Sequence, residues 1–259
     1  MTDLSKVSGL PLAVDEKGRI HFSGGLPAVT PAVRRLADVR DVLADPEAEG
    51  PEELYYMYRD VGFEAEKALW KPRSLRYDVT VIPPGSIGDE FMKTAGHYHP
   101  LVPGQSVAYP EVYEVLHGVA HYLLQRRKGD GLEVDDVILV EAKAGDKVIM
   151  PPGYGHITIN PGPEVLVMVN LVEGTFGSIY EPLRQTQGGA YYELLEDGEA
   201  VFEENEEYGD VPELRILPAR PRPDLGLSPD VPLYTAASRN PDQFLWLVRP
   251  QDFPALREE

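Results

Sequence analysis

The chain has 259 residues, 42% of them hydrophobic and 26% charged, which fits one domain with extensions and excludes wholesale disorder. Its 24 basic and 43 acidic residues give a formal charge of −19, so we expect neither nucleic acid nor an anionic membrane surface as a partner. The chain has no cysteine, which excludes disulfides, thiolate nucleophiles and thiolate-bound zinc and leaves nitrogen and oxygen atoms as metal ligands.

The N-terminal stretch MTDLSKVSGLPLAVDEKGR lacks an apolar segment followed by a small-residue cleavage site. No run approaches the roughly 18 apolar residues of a membrane span. We therefore expect a cytoplasmic protein without a membrane segment. An anionic substrate would need positive potential concentrated locally, by a metal, a lysine or oriented backbone N–H groups.

The first 72 residues are interpreted as an extension that packs on the main domain. PLAVDEKGRIHF indicates a hairpin that turns at residues 16–18. The following AVRRLADVRDVLAD places apolar residues at helix-like spacing between Pro31 and Pro46, and both a short helix and an irregular wrap remain open.

Residues 73–205 are predicted to form the main β domain. SLRYDVTVIPPG alternates in polarity, and VYEVLHGVAHYLLQR predicts two strands joined near Gly118. Short strand-like runs separated by KAG, PPGY and PGP follow, which favours a closed barrel or sandwich. Asp197 and Gly198 predict a type I′ hairpin.

Residues 206–259 are interpreted as a proline-rich C-terminal extension. RILPARPRPDLGLSPDVP is predicted to run extended over the surface or over a partner subunit. The apolar run FLWL near the end predicts a segment that docks on a larger surface. The acidic stretch 193–210 is interpreted as a solvated face.

Two histidines and a glutamate precede the longest motif. His97 and His99 in KTAGHYHP are two residues apart, so on a strand both imidazoles face the same side and form a natural chelate. Glu111 lies seven residues before Gly118. Glu114 is the rival carboxylate, but strand alternation turns it away from the Glu111 face.

GDKVIMPPGYGHITIN has the spacing G-x5-P-x-G-x2-H-x3-N and contains His156. At this point the sequence resembles the cupin superfamily, which implies an all-β jelly-roll barrel with N- and C-terminal extensions. The two cupin motifs would supply His97, His99 and Glu111, and then His156, as metal ligands. The gap between His99 and Glu111 is longer than in the general pattern and predicts an inserted loop at the barrel mouth.

Three neutral imidazoles and one carboxylate suit one divalent ion per chain. Fe(II) and Mn(II) are preferred, and Zn(II) and Ni(II) are alternatives. Six-coordination would leave two positions open for substrate oxygens.

TVIPPGSIGDEFMKTAGHYHP together with PEVYEVLHGVAHYLLQ is similar to the cupin-type glucose-6-phosphate isomerases, over about residues 30–205. The resemblance implies a phosphosugar substrate, interconversion of glucose 6-phosphate and fructose 6-phosphate, a role in glycolysis and gluconeogenesis, and a homodimer. The apolar C-terminal run supplies a second reason to expect the homodimer.

The resemblance assigns substrate binding to four residues, with the phosphate on the last three: Tyr55, Thr80, Thr94 and Gly96. Glu111 and Tyr113 are the candidate catalytic residues. Tyr113 shares the face of Glu111 and is placed to bond a sugar hydroxyl, and Glu111 is the first candidate for the base. Lys93 is expected to face solvent.

The sequence departs from the family after the last barrel strand. The family commonly has His-x-Tyr-Gly there, whereas this chain reads EGTFGSIY, so Tyr180, His117 and His121 are candidates to replace the lost group. An enediolate route and a hydride shift both remain open. The alternatives to the isomerase are a phosphomannose isomerase-like enzyme, a cupin dioxygenase and a non-catalytic sugar-binding cupin.

Overall fold

The computed structural model describes residues 1–257, and strands form most of its regular structure. The strands in chain order are β1 (Thr2–Asp3), β2 (Leu12–Val14), β3 (Ile20–Phe22), β4 (Ala32–Arg35), β5 (Glu53–Tyr58), β6 (Leu75–Ile82), β7 (Ser86–Ile87), β8 (Glu90–Phe91), β9 (Glu111–His117), β10 (Val119–Arg127), β11 (Val134–Lys143), β12 (Lys147–Met150), β13 (Tyr154–Ile159), β14 (Leu166–Glu173), β15 (Tyr191–Glu196), β16 (Glu199–Glu204) and β17 (Arg215–Pro218). The α-helices are short: α1 (Ser5–Ser8), α2 (Glu64–Trp70), α3 (Glu181–Gln185) and α4 (Leu233–Arg239).

Two sheets form the barrel. One has the order β12-β9-β14-β6-β5-β4 and is antiparallel throughout, and the other has the order β13-β10-β11-β17, with β17 parallel to β11. Their inner faces pack together, since the rings of Tyr113 and Tyr122 lie 5.4 Å apart and Tyr122 also reaches Met168. The all-β barrel expected from the sequence is confirmed.

The turn at Gly118 carries the chain from the first sheet to the second. Gly118 has φ +78°, and a Cβ there would lie 2.9 Å from the carbonyl oxygen of Val165, so a larger residue would be both strained and crowded. The expected pair of strands joined at this glycine is confirmed as β9 and β10.

β6 separates two cores. Tyr77, Val79 and Val81 pack outward against the terminal segments, and Arg76 and Thr80 line the barrel interior. Period-two alternation of the side chains produces this division. Both faces of the strand are therefore enclosed by protein.

The N-terminal extension adds strands to the barrel. The hairpin over β2 and β3 is confirmed. Of the two interpretations for residues 33–43 the irregular one is correct, because β4 is followed by 3₁₀ turns at Leu36–Asp38 and Arg40–Val42. β4 and β5 continue the six-stranded sheet beyond β6.

Two predicted turns are observed. Asp197 and Gly198 have φ values of +50° and +86°, which are the signs that a type I′ turn requires, and they join β15 to β16. The long connection between His99 and Glu111 forms a small loop closed by a bridge between Leu101 and Ala108.

The C-terminal segment docks on its own chain, as expected. Phe244, Trp246 and Leu247 are fully buried, and Trp246 Nε1 donates a hydrogen bond of 3.2 Å to the carbonyl oxygen of Leu225. The apolar run is thus covered by its own chain and gives no separate reason to expect a homodimer, which stays a prediction of the family resemblance. No helix in residues 1–257 is long and apolar enough to cross a membrane.

Candidate metal centre and substrate cavity

Four side chains converge in the barrel interior. His97 pairs with His156 of β13 through two backbone hydrogen bonds of 3.1 and 3.0 Å, and Glu111 begins β9 on the opposite sheet. The candidate ligand atoms of His97, His99, Glu111 and His156 all lie within 4.8 Å of one another. The strand alternation and the two motifs therefore bring the predicted residues together.

The residues fit a divalent ion because their lone pairs converge without other partners. Nε2 of His97 lies 3.2 Å from Nε2 of His99, and Oε2 of Glu111 lies 3.4 Å from Nε2 of both His99 and His156. Oε2 of Glu111 and both ring nitrogens of His156 are buried and have no hydrogen-bond partner in residues 1–257. Such unpaired buried atoms are costly unless an ion or water satisfies them.

The protonation states also suit a cation. Burial raises the pKa of Glu111, but the imidazoles of His156 and His99 outweigh that effect and hold its pKa well below the usual range. Desolvation, followed by the neighbouring His156 and His99, holds the pKa of His97 well below its ordinary value. Burial also lowers the pKa of His156. An ionised carboxylate and neutral imidazoles are the forms that bind metals.

Neighbouring groups hold two of the four side chains in place. The amide of Asn170 on β14 donates a hydrogen bond of 2.6 Å to Oε1 of Glu111. Nδ1 of His99 lies 2.9 Å from the carbonyl oxygen of Tyr109, and the ring of Phe176 packs 4.6 Å from the imidazole. Nε2 of His99 is thereby turned toward the other three ligands.

Glu114 faces away from the cluster, as the alternation predicts. Its Oε1 lies 2.7 Å from Nζ of Lys147, and its Oε2 accepts a hydrogen bond of 2.7 Å from the backbone N–H of Leu233. Burial raises the pKa of Glu114 to about 7, against the opposing effects of Lys147 and this N–H group. Glu114 thus joins the barrel to the C-terminal extension.

The predicted substrate-binding residues line the cavity that contains the four candidate ligands. These residues are Tyr55, Thr80, Thr94 and Gly96, and the candidate catalytic residue Tyr113 lines the same cavity. Thr94 Oγ1 accepts a hydrogen bond of 3.0 Å from the Thr158 N–H, and the Tyr55 hydroxyl accepts one of 3.2 Å from the Ala95 N–H. Each hydroxyl proton therefore points elsewhere and is able to donate.

Gly96 has a packing reason for its identity. Its φ is +69°, and a Cβ there would lie 2.4 Å from Cγ1 of Ile157 and 2.8 Å from Cδ1 of Leu183. The glycine therefore allows the strand that carries His97 to approach β13 closely, whatever its N–H group binds.

The candidates for the lost family residue are separated by the fold. Tyr180 lines the cavity, and its ring lies 5.6 Å from that of His97. His117 ends β9, six residues from Glu111, at the turn. Nδ1 of His121 lies 2.8 Å from a carboxylate oxygen of Glu193, which is fully buried and not on the expected solvated face.

One expected position was wrong and several cavity residues were missed. Lys93 is buried, with Nζ 2.5 Å from Oε1 of Glu90 and 2.6 Å from the carbonyl oxygen of Val42, so it does not face solvent. Arg59 and Arg76 line the cavity. They belong to no motif. The polar inward face of β6 was a signal for Arg76, whereas Arg59 lies after β5 and had no such signal.

A β-barrel with three imidazoles and one carboxylate at its centre defines a cupin-type protein with a candidate metal site. The family model described as glucose-6-phosphate isomerase matches residues 33–211. Glucose-6-phosphate isomerase of Thermococcus litoralis is 31% identical over 180 residues, which cover 67% of this chain and 85% of the relative. That of Sinorhizobium medicae is 27% identical over 186 residues, covering 70% and 80%.

The chain therefore belongs to the glucose-6-phosphate isomerase family, and the family resemblance seen in the motifs is confirmed. Among solved structures, oxalate oxidase in complex with the substrate analogue glycolate has a TM-score of 0.34 at 18% identity, covering 44% of this chain and 49% of that one. An oxalate decarboxylase structure has a TM-score of 0.35 at 18% identity, covering 51% and 29%.

Proposed function

We propose that the protein is a metal-dependent aldose–ketose isomerase that interconverts glucose 6-phosphate and fructose 6-phosphate. The observation that carries the proposal is the convergence, in one cavity, of the His97, His99, Glu111 and His156 cluster with the hydroxyl groups of Thr80 and Thr94. Membership of the isomerase family supports this substrate over the alternatives.

The four clustered side chains would hold one Fe(II) or Mn(II) ion, with Zn(II) and Ni(II) as alternatives. A divalent ion bound there would polarise the C1 and C2 oxygens of the open-chain sugar as a Lewis acid. His99 and Glu111 enter this arrangement already oriented by Tyr109 and Asn170. The orientation lowers the ordering cost of metal binding.

The phosphate would be bound by Thr80, Thr94 and Gly96, and Tyr55 would bind the substrate from the same cavity wall. Thr94 supports this role because its oxygen already accepts from the Thr158 N–H, which leaves the hydroxyl proton for an anion. The Tyr55 hydroxyl is placed in the same way by the Ala95 N–H. Donors fixed by the backbone bind an oxyanion with little reorganisation.

Glu111 is the proposed base that moves the proton between C1 and C2. Its depressed pKa keeps it ionised, which is the proton-accepting form, although it also makes Glu111 a weak base. Burial, followed by the charge of Glu111, raises the pKa of Tyr113 well above its usual value. Tyr113 therefore keeps its proton and would donate a hydrogen bond to a sugar oxygen.

The proposal is tested with protein loaded with Fe(II) or Mn(II) and given fructose 6-phosphate, mannose 6-phosphate or fructose. We expect fructose 6-phosphate to be converted to glucose 6-phosphate, and His156→Ala to lose both metal and turnover. His121→Ala is the matched control, since His121 binds Glu193 outside the cavity. If mannose 6-phosphate is the only sugar converted, the protein is instead a phosphomannose isomerase-like enzyme.

A homodimer and a role in glycolysis and gluconeogenesis remain predictions of the family resemblance, and the cytoplasmic location remains a prediction from the sequence. Sedimentation tests the first of these. A single species at the chain mass of 28.7 kDa at micromolar concentration would exclude the dimer.

A further inference from the structure

Two arginines of the cavity wall share one carboxylate. Nε of Arg76 lies 3.0 Å from both carboxylate oxygens of Asp78, and Nη1 of Arg59 lies 2.7 Å from Oδ2 of the same group. The Asp78 side chain is fully buried and also accepts a hydrogen bond of 2.8 Å from the backbone N–H of Asp60. Two guanidinium groups against one carboxylate leave this cluster positively charged, in a chain whose formal charge is −19.

The two arginines differ in how many donors they have left. Arg76 donates to Asp78 through Nε and Nη2, and its Nη1 bonds the carbonyl oxygen of Gly174 at 2.9 Å. Arg59 commits Nη1 to Asp78 and touches Sδ of Met57 with Nη2 at 3.4 Å. A thioether is a weak acceptor, so Arg59 keeps donor capacity for a ligand in the cavity.

Arg59 lies on the part of the wall that carries Thr80. Met57, which Arg59 touches, pairs directly with Thr80 across β5 and β6. Asp78, which holds Arg59, precedes Thr80 by two residues and lies on the same face of β6. The guanidinium group therefore lines the same cavity wall as Thr80.

We propose that Arg59 binds the phosphate group of the substrate beside Thr80, and that Asp78 and Arg76 position it. This inference rests on the proposed function and names the cation that a strongly acidic chain needs to hold a dianion. The planar guanidinium matches phosphate oxygens in two-point contacts. Its bond to buried Asp78 fixes the side chain in advance, which reduces the entropy lost on binding.

The direct test measures inorganic phosphate binding to the metal-free protein by phosphorus NMR. Loss of a charged hydrogen bond should weaken binding by about tenfold or more in Arg59→Gln. Arg126→Gln is the matched control, because the two arginines have similar surroundings. The side chain of Arg126 is 46% exposed and that of Arg59 is 47% exposed, and each lies 2.7 Å from an aspartate oxygen. Equal phosphate affinity in Arg59→Gln and wild type, or no binding by wild type, would overturn the inference.

A second measurement separates substrate contact from a structural effect. Arg59→Gln should raise KM for fructose 6-phosphate and lower its kcat/KM by more than that for phosphate-free fructose, because only the phosphorylated sugar loses a contact. Arg59→Lys, which keeps a cation for Asp78 if the glutamine variant fails to fold, should restore part of the loss. Equal losses on both sugars would assign Arg59 a structural role instead.

The isomerase activity and the phosphate-binding role of Arg59 are contradicted by different results. Phosphate binding that depends on Arg59 in a protein without turnover would contradict the isomerase alone. Turnover of fructose 6-phosphate with an unchanged KM in Arg59→Gln would contradict the role of Arg59 alone.

Discussion

The side-chain amide of Asn170 donates a hydrogen bond of 2.6 Å to Oε1 of Glu111, which leaves Oε2 of the carboxylate directed at the imidazoles of His99 and His156. Asn170 and Glu111 lie on adjacent strands, β14 and β9, so the sheet register sets this contact. The barrel wall thus orients the carboxylate before any ligand arrives.

Asn170→Ala should weaken metal binding by about tenfold to a hundredfold, which is the usual effect of removing a group that orients a ligand. The reason is that Glu111 loses the bond that fixes its Oε2. Metal affinity is measured by competition with a chelator. Asn205→Ala is the control, because Asn205 is also buried and bonded but holds the Thr186 and Gly189 carbonyls outside the cavity. Equal metal affinities in the two variants would refute the role of Asn170.

The stability of the folded chain should depend on pH through Glu114. Its pKa rises from 4.5 to about 7 on folding, so the folded state binds the proton more strongly, and this group costs stability as pH rises through that window. Each pKa unit corresponds to about 1.4 kcal/mol, so the free energy of unfolding should fall by about 3 kcal/mol over this window. Glu114→Gln keeps an acceptor for Leu233 and should lack this slope. The free energy of unfolding by urea is measured for wild type and Glu114→Gln at several pH values between 4.5 and about 7. If the two proteins show the same dependence on pH, the assignment to Glu114 is wrong.

Gly96→Ala should destabilise the protein by about 1–3 kcal/mol through overpacking, beyond the cost of a left-handed φ. The added methyl group would lie 2.4 Å from Ile157 Cγ1. Gly145→Ala is the matched control, since Gly145 has φ +94° but no heavy atom within 4 Å of the same position. The midpoint of thermal unfolding is measured for both variants, because Gly96→Ala adds crowding and backbone strain whereas Gly145→Ala adds backbone strain alone. Equal decreases in the midpoint would show that the packing at Gly96 is unimportant.

The docked C-terminal extension should contribute strongly to stability. Trp246 is fully buried and bonded to Leu225, so Trp246→Ala should cost about 3–5 kcal/mol of unfolding free energy. Ile216 lies in the same extension and is 48% exposed, so Ile216→Ala should change stability by less than about 0.5 kcal/mol. A Trp246→Ala variant as stable as Ile216→Ala would mean that the segment does not dock as described.

The four clustered residues were predictable because motif spacing and strand alternation are local properties. Alternation alone separated Glu111 from Glu114, and the structure places them on opposite faces. Asn170 and Arg59 were not predictable, since their roles depend on which strands become neighbours and in what register.

Two misplaced expectations have a common cause. Lys93 was expected in solvent, but Glu90, the Val42 carbonyl and the ring of Tyr192 surround it. The C-terminal apolar run is taken as a second reason for a homodimer, but it docks within its own chain and gives no such reason. In both cases a segment distant in sequence covers the residue, which a local pattern does not encode.

The conversion of fructose 6-phosphate in deuterium oxide, followed by proton NMR, tests the central claim most directly. Metal-loaded protein should produce glucose 6-phosphate that carries deuterium at C2, because a proton held by Glu111 exchanges with solvent before it returns to the sugar. Glucose 6-phosphate without deuterium would contradict a solvent-exchanging proton on Glu111 and would leave a hydride shift or a fully shielded proton transfer. No glucose 6-phosphate with any of the four metals would contradict the isomerase itself.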